Sequence, residues 1–268
     1  PDTGPLPFAL ADLNVTAENN NTSVVLTTNA DVMVSQTLLS RFQNWCFTDV
    51  QSGYKVKAYN ASTGQPARIQ AGLLSSSTGS CTRYYTLVPT QFLGEDCLLP
   101  QPSFIYRAGE PDASNPPVRT AVYVYPIDGA TTVSFETASV VTTESLAANT
   151  VARYVMPFVG PYAVQAFAAA RVRSLDPGKR IEVLVAGHDQ RDNLDCGWNA
   201  IPTSILDTLG SNVYVPLAPS NPLFITPEND NTTVYIDFDH DNIPDQTYTL
   251  DRFETRLVYP PAPGYAAT

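Results

Sequence analysis

Apolar and polar residues alternate through most of this chain, in short runs separated by Asn, Asp, Gly and Pro. A period of two places successive side chains on opposite faces of a strand, so the pattern predicts β-strands. One fourteen-residue pattern recurs without gaps at residues 13–26, 122–135 and 223–236. Each copy has two alternating stretches around a polar turn, which predicts a β-hairpin. We therefore expect a chain built from repeated copies of one β-module.

The similarity between the copies continues at residues 39–43, 146–150 and 250–254, which predicts four strands in each copy. The first two copies then run on through further alternating stretches, to about seven strands each. The copies begin about 100 residues apart, and seven strands in about 100 residues are typical of an immunoglobulin-like sandwich. The expected fold class is all-β, with tandem immunoglobulin-like β-sandwich domains and a partial third repeat.

The repeats predict the domain organisation. Residues 8–107 form repeat 1, residues 118–221 form repeat 2, and 222–259 form a partial third repeat of four strands, followed by a tail at 260–268. Residues 108–117, rich in Pro, Asp and Asn, are the expected linker. Residues 143–155 also suit a helix, but their register with the other copies favours a turn and a strand.

The third repeat ends after its fourth strand, and half a sandwich leaves sheet edges open. It is therefore expected to pack on repeat 2 or on another subunit. Exchange of strands between subunits is a route to filaments, and self-assembly is a hypothesis motivated by this truncation.

Composition narrows the possible environments. Hydrophobic residues make up 43% of the 268 residues and charged residues 15%, and the formal net charge is −11. The acidic balance excludes a basic surface for nucleic acid or anionic membranes. No run of 18 apolar residues occurs, so no membrane span is expected. The sequence opens at Pro1 without a signal-type segment, which suggests a processed, exported and soluble protein.

Cysteines and sequons favour an extracellular protein. An even number of cysteines without a C-x-x-C pair predicts two disulfides, in any of three pairings, among Cys46, Cys81, Cys97 and Cys196. Five sequons are candidate glycosylation sites in a glycosylating organism, at Asn14, Asn20, Asn21, Asn60 and Asn231.

The strongest local motif is a run of carboxylates at alternate positions: Asp237, Asp239 and Asp241, followed by Asp245. Hard oxygen ligands at this spacing can surround Ca²⁺, with the Ile243 carbonyl as a backbone ligand. The run lacks the Gly and the bidentate Glu of an EF-hand and resembles the loops of thrombospondin type 3 and dockerin-like repeats. We predict a Ca²⁺ site here, and the alternative is an acidic, solvated loop.

No catalytic motif is present, and only two histidines occur in the chain, His188 and His240. Without a G-x-S-x-G elbow, an H-E-x-x-H pair or a phosphate-binding glycine loop, the chain is not expected to be an enzyme. Residues 188–196 are interpreted as a polar loop rather than a zinc site. Trp45 and Trp198 lie beside cysteines and are expected in the sandwich cores rather than on a sugar-binding surface.

Residues 174–250 carry a family resemblance. The matching features are Asp176-Pro177, Cys196-Gly-Trp198, Ile201-Pro202, Leu209-Gly210 before Val213-Tyr-Val215, Asn231-Thr-Thr-Val234 and the Asp-rich connection. This stretch resembles the tandem adhesion modules related to the N-terminal region of IgG-Fc-binding protein. The resemblance implies a cell-surface or matrix module and supplies no catalytic residues.

Together these patterns predict a secreted structural or adhesive protein of the cell surface or extracellular matrix, with Ca²⁺ as its cofactor. Its expected partners are other copies of itself, other surface proteins or glycans. One alternative is a carbohydrate- or protein-binding module of a larger surface protein, and another is an accessory domain of a secreted hydrolase.

Overall fold

The computed structural model describes residues 11–28, 30–51, 53–76, 82–99, 119–155, 167–188, 194–200, 202–203, 223–239 and 241–258. Within these residues the chain forms twenty β-strands and a short 3₁₀ turn at Thr90–Phe92, and no α-helix. The all-β prediction is confirmed. The predicted linker (108–117) and tail (260–268) lie outside the described residues.

The first repeat forms a seven-stranded sandwich. Its strands are β1 (Ala11–Ala17), β2 (Thr22–Thr27), β3 (Met33–Leu39), β4 (Asn44–Val50), β5 (Lys55–Asn60), β6 (Ile69–Ser76) and β7 (Thr82–Thr86). One sheet has the order β4-β1-β6-β7 and the other β3-β2-β5. Alternate residues of β1, including Leu13 and Val15, pack with Val24 and Leu26 of β2 in a common core. Burying these side chains provides the main free energy that holds the sheets together.

The second sandwich repeats this arrangement. Its strands are β8 (Asp96–Leu99), β9 (Arg119–Pro126), β10 (Thr131–Thr137), β11 (Val141–Leu146), β12 (Ala152–Val155), β14 (Ala170–Ser174), β15 (Ile181–His188) and β16 (Leu194–Asn199), with the two-residue β13 (Phe167–Ala168) between β12 and β14. One sheet has the order β12-β9-β15-β16 and the other β11-β10-β14-β8. Residues 143–155 are therefore a strand end, a turn and a strand, as the register with the other copies predicts.

The third repeat contributes four strands, which are β17 (Leu223–Ile225), β18 (Thr232–Ile236), β19 (Gln246–Leu250) and β20 (Glu254–Val258). They form a three-stranded sheet, β13-β20-β17, and a separate β18-β19 pair. Because β13 comes from repeat 2, the third repeat is joined to repeat 2 of the same chain by backbone hydrogen bonds.

The repeated fourteen-residue pattern is not a hairpin, and this prediction was wrong. Its two strands lie in different sheets in all three copies: β1 pairs with β4 while β2 pairs with β3, and the same holds for β9–β12 and β10–β11 and for β17–β20 and β18–β19. The polar turn carries the chain from one sheet to the other, because each strand buries apolar residues that need a facing sheet. The structural equivalence of the copies is thereby much clearer than the sequence suggested.

Equivalent turns keep equivalent contacts. The turn before the fourth strand places Phe42, Asn149 and Phe253 at positive φ, 62°, 61° and 64° respectively. A left-handed backbone is unfavourable for a bulky side chain, so its occurrence at Phe in two copies shows that the surrounding structure imposes it. In copies one and three a backbone N–H of this turn donates to a side chain of the turn between the first and second strands. Arg41 donates to Asn20 at 2.8 Å, and Arg252 donates to Asp230 at 2.9 Å.

Strand β8 crosses from repeat 1 into the second sandwich. It belongs to the segment that the sequence assigns to repeat 1 (8–107), yet it pairs with β14, aligning Leu99 with Ala170 and Cys97 with Val172. Cys97 and Leu99 are fully buried in the second core. Repeat 1 therefore supplies the edge strand that completes the next sandwich.

Ion pairs connect all three repeats. The Arg171 guanidinium on β14 donates to Asp96 of β8 through Nε at 2.9 Å and pairs with Glu228 of the third repeat at 3.1 Å. Glu136 on β10 accepts from Arg252 of the third repeat at 3.0 Å. Arg171 and Glu136 are only about 15% exposed, so these pairs are less screened than surface pairs.

Candidate functional site

The Asp-rich loop connects β18 to β19 and brings three of its four predicted carboxylates together. Ligand oxygens of Asp237, Asp239 and Asp245 all lie within 4.8 Å of one another. The loop is shaped by its own backbone, since the N–H of Phe238 donates to Asp245 at 2.7 Å and that of Asn242 donates to Asp237 at 2.9 Å.

The other two predicted ligands are placed differently. The Asp241 carboxylate accepts the N–H of Ile243 at 2.7 Å and is outside the cluster. Asn242 adopts a φ of 66°, the conformation for which an EF-hand loop uses Gly. The Ile243 side chain is 67% exposed at the tip of the loop. Three of the five predicted ligands therefore converge.

Electrostatics in this cluster favour binding of a cation. The pKa of the Asp239 carboxyl is raised by partial loss of hydration and by the neighbouring carboxylates of Asp241, Asp245 and Asp237. Ca²⁺ lies about 2.4 Å from its oxygen ligands, so two ligands of one ion are separated by up to about 4.8 Å. The spacing of the three carboxylates suits one such ion, which would also relieve their mutual repulsion.

The predicted disulfides are not formed at the two cysteines whose side chains are described. Cys46 on β4 is an exposed free thiol and Cys97 on β8 is a buried one, and they belong to different sheets. Burial first, and then Asp96, raises the pKa of the Cys97 thiol to about 12. Cys81 and the side chain of Cys196 lie outside the described part of the structure.

Trp45 was predicted in the core but is 39% exposed, so this prediction was wrong. It pairs across the sheet with Val15 and lies edge-to-face with Phe47, with ring centroids 5.8 Å apart. Strand β4 is at the edge of its sheet, so side chains there are covered on one side only. The Trp198 side chain is outside the described residues.

The sequons lie on strands and turns. Asn20 and Asn231 are exposed on equivalent turns, and Asn14, Asn21 and Asn60 are half-buried. Asn21 donates to Ser62 at 2.6 Å, and the Asn60 side chain accepts two turn N–H groups. Their use as glycosylation sites stays a prediction, with Asn20 and Asn231 the most accessible.

A large cavity lies between the first sandwich and the β12-β9-β15-β16 sheet, beside the place where Ala121 and Ala186 of that sheet pack against the first core, and sequence reasoning missed it. Its volume is about 970 Å³. One wall is formed by β1, β5 and β6 and the other by β9 and β15, and Tyr54, Tyr123 and Tyr125 are among the residues that line the cavity. Its walls combine apolar side chains with several charged ones. Clefts of about 300–1,000 Å³ are typical ligand sites.

Glu182 on β15 is the distinctive polar group of this cavity. It is aligned with Tyr125 on β9, so the two side chains are neighbours on the cavity face of the sheet. Glu182 is half-buried where it borders the cavity, and loss of hydration there raises the pKa of its carboxyl to about 7. No hydrogen bond or ion pair reaches it from the described residues. In the sequence it occupies an ordinary outward position of an alternating strand, and this position predicts exposure to solvent.

Comparisons with known proteins gave no match to a family model, to a curated protein or to a solved structure. Among the described residues, no helix has the length and apolar character needed to cross a membrane.

Proposed function

We propose that this chain is a secreted, non-enzymatic structural or adhesive protein of the cell surface or extracellular matrix, and that it self-associates through an exposed strand edge. The observation that carries the proposal is the β3–β4 edge (residues 33–50), on one side of the first sandwich. The family resemblance of residues 174–250 and the immunoglobulin-like character of the two sandwiches belong to the same proposal. In each sandwich, antiparallel sheets pack over a core, as they do in an immunoglobulin-like domain. The strand order differs from the immunoglobulin order in that β6 lies beside β1.

Strand β3 is a sheet edge with little protection: its register against β2 shifts at its first residues, which marks a bulge at Val34, but the strand has no other protective feature. It pairs only with β2 among the described residues, and its sequence MVSQTLL contains no charge and no proline. Met33, Val34 and Leu38 are 62%, 49% and 59% exposed. Natural proteins normally protect such edges with lysine, proline or a bulge, because unpaired backbone groups recruit further strands. Beyond the bulge, an uncharged edge with exposed apolar side chains favours pairing with a second copy.

We predict that the wild-type protein forms concentration-dependent assemblies that disappear in the Val34→Lys/Leu38→Lys variant. Facing lysines repel across a paired edge by several kcal/mol, so association should weaken at least about 100-fold. Light scattering coupled to size exclusion measures the mass, and electron microscopy distinguishes filaments from closed dimers.

Ile243→Lys is the matched control, since it adds a lysine at an equally exposed apolar position outside the edge and should assemble like the wild type. A wild-type protein that remains monomeric at high concentration contradicts self-association. It would leave the alternative, a carbohydrate- or protein-binding module, which the exposed Trp45 and Phe42 favour and glycan-array binding by the monomer tests.

We also propose that the Asp-rich loop binds Ca²⁺, with Asp237, Asp239 and Asp245 as carboxylate ligands. The convergence of these three groups supports the proposal, and the ion would stiffen the β18-β19 connection. At a Ca²⁺ concentration 100 times the dissociation constant, the stabilisation expected is about 2.7 kcal/mol. Thermal unfolding with Ca²⁺ and with chelator measures it, and hydrogen exchange of β19 locates it.

Asp239→Asn should abolish the stabilisation while leaving the Ca²⁺-free protein as stable as the wild type or slightly more so, because it removes one of the repelling charges. Asp12→Asn on β1 is the matched control and should retain the full response. Identical melting curves of the wild type with Ca²⁺ and with chelator would eliminate the site.

A further inference from the structure

We propose that the cavity between the first sandwich and the β12-β9-β15-β16 sheet binds a small organic cation, an amine with an apolar body, whose ammonium group pairs with Glu182. This inference is independent of the proposed adhesive function. It rests on the shape of the cavity, on the pairing of the charges along its walls and on the aromatic groups around Glu182.

Each lysine and arginine side chain that lines the cavity is paired with a carboxylate. Lys55 and Lys57 both contact Asp31, at 3.2 and 3.3 Å. Two further pairs are Arg180 with Asp128 at 2.6 Å and Arg68 with Glu18 at 3.4 Å. Glu182 alone among the described wall acids has no such partner. The described wall carries four cations and four carboxylates in total, so the argument for a cationic ligand is a local one. Glu182 is the one carboxylate among them that no cation contacts, and an ammonium group of a ligand would supply that contact.

The surroundings of Glu182 suit an organic cation better than a metal ion. Its neighbours on the cavity face are Tyr125, opposite it on β9, and Leu184 and Tyr123, one pair further along the same two strands. No second carboxylate is aligned with it, whereas Ca²⁺ needs six to eight oxygen ligands. Tyrosine rings attract organic cations through their faces, and the apolar wall of Leu13, Ile69 and Leu73 accommodates a hydrocarbon body.

The test uses the whole chain and three probes that share a phenylethyl body: 2-phenylethylamine, the neutral 2-phenylethanol and the anionic 3-phenylpropanoate. Isothermal titration calorimetry at pH 8 is expected to show binding of the amine at least about tenfold tighter than of the alcohol, and no binding of the acid. Glu182→Gln should reduce amine affinity at least about tenfold and leave alcohol affinity unchanged. Glu254→Gln, in the third repeat, is the matched control and should bind like the wild type.

A pH titration provides a second measurement that does not depend on a variant. The amine stays protonated between pH 5 and 8, as lysine does. Asp31 and Asp128, the acids paired with Lys55, Lys57 and Arg180, have lowered pKa values and stay ionised, and Tyr125, whose pKa is raised chiefly by burial, stays neutral. Loss of affinity on lowering the pH from 8 to 5.5 is therefore attributable to protonation of Glu182.

Three results would each overturn the proposal: equal affinity for amine and alcohol, unchanged amine binding in a folded Glu182→Gln variant, or no binding of the amine at millimolar concentration.

Discussion

Replacing Leu99 by alanine is expected to destabilise the second sandwich by about 2–5 kcal/mol, although the sequence assigns Leu99 to repeat 1. Leu99 is 1% exposed and lies on β8, in the core formed with Val172 and Phe135. Truncation removes buried apolar contacts and leaves a cavity that the two sheets cannot close completely. Denaturant unfolding measures the loss of stability, and hydrogen exchange identifies which strands open.

Exchange should accelerate in β10 and β14 and remain nearly unchanged in β2 and β5. Leu38→Ala is the matched control, since Leu38 is 59% exposed and its truncation should cost less than about 0.5 kcal/mol. If Leu99→Ala instead opened β2 and β5 first, β8 would belong energetically to the first sandwich, contrary to its pairing with β14.

Replacing Glu182 by glutamine is expected to stabilise the protein at pH 8 by up to about 3 kcal/mol and to have almost no effect at pH 4.5. The pKa of Glu182 is about 7 in the folded chain against an ordinary value of 4.5. The folded state thus keeps a proton that the unfolded state releases within this window. Stability contributed by the protonated form is lost as pH rises from 4.5 through 7, and water in the cavity reduces the full penalty.

Urea unfolding of both proteins across pH 4–8 measures the difference. The pH range over which Glu182 changes the stability differs from that of Asp128, whose pKa is lowered to about 2 by the hydrogen bonds from Arg180. The stabilisation from Asp128 is present above its ordinary pKa and is lost only as pH falls further. A difference between wild type and variant that stayed constant from pH 4.5 to 8 would show that folding does not raise the pKa of Glu182.

The alternation of apolar residues predicted the strands well, because burial on one face of a strand is a local property of the sequence. It did not predict which strand lies beside which. The turn at residues 18–21 is polar and short enough for a hairpin, but the burial of both β1 and β2 separates them into facing sheets. Partner choice depends on contacts far apart in the sequence, such as those of β1 with β4 and β6.

The candidate sites also differ in whether the local sequence could predict them. The spacing of Asp237, Asp239 and Asp245 predicted a cluster that does converge, since a loop of nine residues between paired strands keeps its side chains close. Glu182 gave no comparable signal, because its environment is created by the first sandwich, more than 100 residues earlier. Trp45 was placed wrongly because its sequence neighbours did not reveal that β4 is an edge strand.

The crossing of β8 has a consequence for how such a chain can be lengthened or shortened during evolution. A gene segment cut between the two sequence repeats, near residue 118, would deliver a second sandwich without its outermost strand and would uncover β14. A segment starting just before Asp96 would be self-sufficient on that side. The segment whose duplication preserves folding therefore begins at β8, earlier than the repeat that is visible in the sequence. Duplication of segments that begin there would add each new sandwich together with the edge strand that completes it.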